Sequence, residues 1–335
     1  MRVRDTSQDK SLYGEAIVWD AHACMPLAYN QDLSELERHR KAGATFISIN
    51  VGMDFNPLGQ CIRVIAGFRD WIARHPDHFI QAETVADVRR AKREGKLAVA
   101  FDLEGSVMLE DDLTMLRLFR DLGVRQIHLA YNRNNSIAAG CHGEDRGLTE
   151  LGRAVVAEIN AVGMLMDCSH SGRQTSLEIM ELSKRPVIFS HSSIKALKDH
   201  RRNVDDQQII ACAATDGVIG IAGIGGFLGD NDIRTETIIR HIDYLAEQVG
   251  AAHIGLGTDF EFAVKPGHSD LPSTESSETW WPKAFGYGGG DTKIVPPEQL
   301  PEIADELLRR GYKDADVIGI IGGNFLRAAE ATWPQ

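Results

Sequence analysis

The chain has 335 residues, 43% apolar and 25% charged, with 32 glycines and 11 prolines, which is ordinary globular usage. A net charge of −12 argues against nucleic-acid binding, which needs clustered lysine and arginine. No apolar run approaches the roughly 18 residues of a bilayer span, and the five cysteines (Cys24, Cys61, Cys141, Cys168, Cys212) form no CxxC pair, so a reduced cytoplasmic protein without membrane contact is expected.

The first sixteen residues, MRVRDTSQDKSLYGEA, hold no apolar core of signal-peptide length; residues 1–14 read as an N-terminal extension. Strand candidates then begin near residues 16, 45, 97, 127, 164, 187, 218 and 253. They are near-continuous apolar runs, as in a parallel sheet buried on both faces. Amphipathic helical spacing fills the gaps. Val64, Ile65, Phe68, Trp71 and Ile72 make one such stripe, and Leu148, Leu151, Val155, Ile159 and Val162 make another, with Gly163 as its stop signal. Two helices close the chain, near 297–311 and 314–331. Eight strand–helix units predict a (β/α)8 TIM-type barrel of one domain spanning 1–335. WDAHACMP follows the first strand where a nucleotide-binding fold would place a glycine-rich phosphate loop. Residues 263–296 break the rhythm: this Gly-, Pro- and Ser-rich stretch carries Trp280, Trp281, Phe285 and Tyr287 and reads as a long loop on the catalytic face.

In a parallel barrel the C-terminal strand ends converge on one face, and here those ends carry chemistry. His22 ends the first strand, with Asp20 two residues earlier as its expected orienting partner. Glu104 closes the strand LAVAFDLEG, where a buried carboxylate needs a cation or a donor. His170 and His191, 21 residues apart, end two consecutive strands, and neutral imidazole is a common metal ligand. Asp259 ends the last strand and is placed to move a proton. Each alone has an ordinary structural explanation, a buried histidine or a loop cap; together they point to metal-assisted hydrolysis of an amide or ester.

These residues also carry a resemblance. WDAHACMP, DLEG, GLTELGRAVVAEINAVGMLMDCSH, PVIFSHSS, HRRNV, GLGTDF and ELLRRGYKDADVIGIIGGNFLR occur in order from residue 19 to about 327, and the chain resembles the membrane (renal) dipeptidase family of zinc peptidases. The resemblance implies two zinc ions, with one as the alternative. His22 would bind the first, Glu104 would bridge, and His170 and His191 would hold the second. It implies that Arg202 clamps the substrate carboxylate, which a guanidinium fork matches. Asp259 would move the proton between a metal-activated hydroxide and the leaving amine. The substrate would be a dipeptide, with a D-residue tolerated at its C-terminal end.

Two positions depart from the family pattern. Cys24 stands where an aspartate ligand is typical; it reads as a thiolate ligand, as a weakened first site, or as a bystander thiol. Tyr131 stands where the family has a histidine thought to steady the tetrahedral intermediate, so it is assigned to catalysis and substrate contact, with Asn132, Arg133, Asn134 and Asn135 as further candidate donors. The departures keep alternatives open: a specialised amidohydrolase or lactonase acting on a small non-peptide carboxylate, or a weakly active single-metal relative. The expected partner is a small dipeptide-like molecule, and the aromatic loop reads as a substrate lid or a homodimer contact, with plain disorder as the alternative.

Overall fold

Ten parallel strands form in the computed structural model, which describes residues 11–264, 269–288 and 291–334. They are β1 (Trp19–Cys24), β2 (Phe46–Met53), β3 (Phe79–Gln81), β4 (Leu97–Glu104), β5 (Val124–His128), β6 (Leu165–Asp167), β7 (Val187–Ser192), β8 (Val218–Ala222), β9 (Ile254–Gly257) and β10 (Phe260–Glu261). Most of the N-terminal extension, and residues 265–268 and 289–290 of the late loop, lie outside the described residues. The sheet order is β10-β1-β2-β4-β5-β6-β7-β8-β9, with β3 added beside β4. Because β9 pairs β8 while β10 pairs β1, the two short strands are halves of one eighth strand, and the sheet closes into a (β/α)8 barrel.

The break between those halves is also the seam. Thr258 N and Oγ1 donate to the two carboxylate oxygens of Asp20 at 2.8 and 2.5 Å, and Asp259 N donates to His22 O at 2.9 Å. Asp20 is fully buried and also takes His39 Nε2 at 3.2 Å. It therefore clasps the ring and does not orient His22, as its sequence position had suggested. The pairing register shifts between Asp20 and Ala23, so the simple alternation behind that expectation does not hold there.

The barrel is apolar below and polar above. Trp19, Phe46, Ala98, Leu165, Ile188 and Val218, from the N-terminal parts of their strands, pack with Phe325 and Trp333 of the C-terminal segment; Trp19 stacks on Phe46 with centroids 3.6 Å apart. The closing helices run Leu300–Arg309 and Asp314–Ile318, then through a wide turn at Gly319–Gly323 into Asn324–Thr332, whose Phe325 plugs the barrel floor. The stripe from Val64 to Ile72 lies on the buried side of helix Leu58–Arg74, and Gly163 ends helix Glu150–Val162 in the left-handed conformation (φ 80°). β5 begins three residues before the predicted start; the apolar-run reading stopped short of Arg125, whose guanidinium is buried against the carbonyls of Glu83, Arg120 and Val124.

Two glycines let the upper wall close around β7. A Cβ at Gly220 or Gly257 would lie 2.0 or 1.9 Å from Ser190 O, a distance that no side chain tolerates. Gly257→Ala is therefore expected to cost about 1–3 kcal/mol of stability by overpacking and to displace the adjacent His191; urea unfolding together with metal analysis checks both.

Candidate metal centre

Three imidazoles from three strands or strand ends aim the same ring atom at one carboxylate oxygen. His22 Nε2, His170 Nε2 and His191 Nε2 lie 3.5, 3.1 and 3.7 Å from Glu104 Oε1, and all four side chains are almost wholly buried. Each histidine is oriented from behind through Nδ1. His22 Nδ1 pairs with Asp102 Oδ2 at 3.3 Å, His170 Nδ1 with Asn132 Oδ1 at 2.8 Å, and His191 Nδ1 with Ser190 Oγ at 2.7 Å. With Nδ1 as donor, the Nε2 lone pairs face the shared centre. Asp102 is itself held by Ser48 Oγ at 2.6 Å, and Asn50 Nδ2 donates to Glu104 Oε2 at 3.2 Å.

This arrangement is electrostatically incomplete as protein alone. His170 Nε2 and His191 Nε2 are 2.9 Å apart, so without a proton or a cation between them two lone pairs would face each other. Burial, and then Arg202, holds His170 well below the usual imidazole range; burial, then His22 and Arg202, does the same for His191. Both are thus neutral and ligand-competent. Burial pushes the Glu104 carboxyl up to about 7, partly offset by His22 and His128. For His22, burial disfavours the cation, but Asp102, Glu104 and Asp259 together outweigh it and bring the imidazole up to about 10, so an ion would have to displace a proton from its Nε2. Imidazole and carboxylate donors whose rings are fixed from behind suit a borderline divalent ion such as zinc.

The other site residues from the sequence gather at the rim. Asp259 Oδ1 lies 3.7 Å from His22 Nε2, and Cys24 Sγ lies 3.5 Å from each of those two atoms. Arg202 is buried; its Nη2 lies 3.1 Å from His170 Nε2 and donates to His191 O at 3.3 Å. Among the described residues it has no carboxylate partner. Tyr131 stacks on His170 with centroids 4.3 Å apart, and its hydroxyl accepts from Trp281 Nε1 at 3.0 Å. The described part of the aromatic segment thus sits over the barrel mouth, with Asn132 Nδ2 donating to Trp280 O at 3.0 Å. The neighbours proposed as spare donors are engaged elsewhere: Asn135 holds Asp54, Ser106 and Leu129, Asn134 spans Glu144 and Gly140, and Arg133 lies over Trp280.

Sequence reasoning passed over Asp102 and His128. Asp102 precedes Glu104 by two residues on one strand, the same-face spacing that could have exposed it. His128 ends β5, is fully buried, and places Nε2 3.0 Å from Asp167 Oδ2, near enough for an ion pair though not aligned as a hydrogen bond. Asn132, His170 and Asp259 share a left-handed backbone (φ 59°, 67° and 53°), which costs a non-glycine residue about 1–3 kcal/mol and is concentrated at functional sites.

A closed parallel barrel whose mouth gathers imidazoles, carboxylates and a buried arginine defines a metal-dependent hydrolase type of barrel. The chain belongs to the membrane dipeptidase family, peptidase family M19, which its residues 7–271 match. Dipeptidase aclJ of Aspergillus oryzae is 28% identical over 307 residues, covering 87% of this chain and 67% of its own length. Dipeptidase tcpJ of Claviceps purpurea is 27% identical over 317 residues, covering 93% and 65%; the chain therefore spans about two thirds of the length of these curated relatives. Among solved structures, an amidohydrolase from Pseudomonas aeruginosa superposes with a TM-score of 0.85 at 28% identity, covering 97% of this chain and 98% of that one. A metallo peptidase from Rhodobacter sphaeroides, liganded with a phosphinate mimic of the dipeptide L-Ala-D-Ala, shares the fold at 21% identity with a TM-score of 0.77, covering 95% and 100%. No helix among the described residues is long and apolar enough to cross a membrane.

Because Asp102 fixes His22 from behind, Asp102→Ala is expected to weaken metal binding by about 10–100-fold while leaving the fold intact. Chelator competition followed by metal analysis measures the first, and circular dichroism the second.

Proposed function

We propose that the protein is a zinc-dependent dipeptidase that hydrolyses dipeptides with a free C-terminal carboxylate, including those whose C-terminal residue is D. The observation that carries this reading is the meeting of three Nε2 atoms on Glu104 Oε1 beside Arg202. His22 and Glu104 would hold one zinc ion, and Glu104, His170 and His191 the second. When bound, such ions bring the pKa of a water down to about 7 and polarise the scissile carbonyl.

The chain's own residues do the rest. Arg202, with buried donors beside His170 and His191, takes the substrate carboxylate in a bidentate grip and so sets the scissile bond over Glu104. Asp259, its side chain 13% exposed at the edge of the cluster, accepts the proton of the attacking water and returns it to the leaving amine. The Tyr131 hydroxyl accepts from Trp281, which leaves its own proton free for the oxygen on which charge develops. Burial, and then Glu104, keep this phenol well above its usual pKa, so it acts as a donor.

One observation favours a second reading, a specialised amidohydrolase or lactonase on a small non-peptide carboxylate. Tyr131 is pinned between His170 and Trp281 and brings no positive charge where the family pattern has histidine. A panel of L,L- and L,D-dipeptides against metal-loaded enzyme separates the two: turnover of at least one dipeptide is expected, and none despite full loading favours the second reading. Chelation is expected to abolish activity, and added zinc to restore it. Arg202→Met should raise KM for carboxylate-bearing substrates by about 10–100-fold, the loss of a charge-assisted pair, at constant metal content; an unchanged KM removes the clamp.

A further inference from the structure

We infer that Cys24 is a thiolate ligand of the first metal position, which makes that position a mixed sulfur, nitrogen and oxygen site selective for thiophilic ions. This inference rests on the metallohydrolase reading above and specifies one of its two sites. Cys24 Sγ, His22 Nε2 and Asp259 Oδ1 form a triangle with sides of 3.5, 3.5 and 3.7 Å. Zinc binds sulfur at about 2.3 Å and nitrogen or oxygen at about 2.0–2.2 Å in a tetrahedral arrangement, so two ligands of one ion stand roughly 3.4–3.6 Å apart. The two sulfur sides match that spacing, and the nitrogen–oxygen side of 3.7 Å lies slightly outside it. The nitrogen–oxygen side is too long for a direct hydrogen bond, whose range ends near about 3.2 Å.

A second, independent observation points to the same centre. His22 Nδ1 is committed to Asp102, and Nε2 also faces Glu104 Oε1 at 3.5 Å, so Glu104 offers a further oxygen to an ion held by that nitrogen. His22, Cys24 and Asp259 can hold an ion together; Asp259 would do so through Oδ1, which leaves its second oxygen for the proton transfer. On binding, the S–H bond breaks, the sulfur lone pair forms the bond to the ion, and the proton leaves to solvent. A thiolate favours zinc and softer ions over magnesium or calcium, which prefer oxygen.

Cadmium is the probe. The full chain, stripped by chelator and titrated with Cd²⁺, is expected to show an ultraviolet sulfur-to-metal charge-transfer band. Cys24→Ser should lose the band and an equivalent of bound metal; Cys24→Asp should lose the band but retain the metal. Circular dichroism and Tm of both variants establish that they are folded. Cadmium bound without the band, or a band that survives in folded Cys24→Ser, overturns the thiolate ligand and leaves the metallohydrolase reading standing. No metal bound to the unmodified chain overturns both.

Discussion

A carboxylate buried among three imidazoles constrains everything else in this molecule. Glu104 lies out of water, and an ionised group there is tolerated only when its surroundings compensate it. The compensation is arranged in layers. The Nε2 atoms of His22, His170 and His191 face Glu104, and behind them Asp102, Asn132 and Ser190 hold each ring by its other nitrogen. Asn50 fixes the second oxygen of Glu104. Six strands or the loops that follow them contribute, so the cluster exists only if the barrel registers are correct.

The barrel meets this demand by dividing its labour along its axis. Large apolar side chains fill the floor around Trp19, Phe46 and Phe325, and small residues occupy points where the backbone must come close to β7. That packed floor holds the strands while the mouth keeps polar groups and a left-handed backbone at Asn132, His170 and Asp259.

The architecture was legible because buried parallel strands read as apolar runs closed by polar residues. It failed where that signal weakens. β3 is only three residues long, and Arg125 and Gln126 interrupt β5 with polar side chains whose partners include the distant carbonyls of Glu83 and Ala21. His22, Glu104, His170, His191 and Asp259 were visible because each lies at or near the end of a strand. Asp102 was overshadowed by Glu104, two residues further along the same strand. Asp20 was visible but paired with the wrong histidine, since its actual partners, His39 and Thr258, are fixed by ring closure and a register shift that no local pattern announces.

The clasp between Asp20 and Thr258 joins residues 238 positions apart. A chain emerging from the ribosome presents His22, Glu104, His170 and His191 long before that clasp can form. Until the final strand is synthesised and inserts between β8 and β1, the early imidazoles have no closed wall to hold them in register. The seam that sets Asp259 beside His22 cannot close before the chain has reached Thr258.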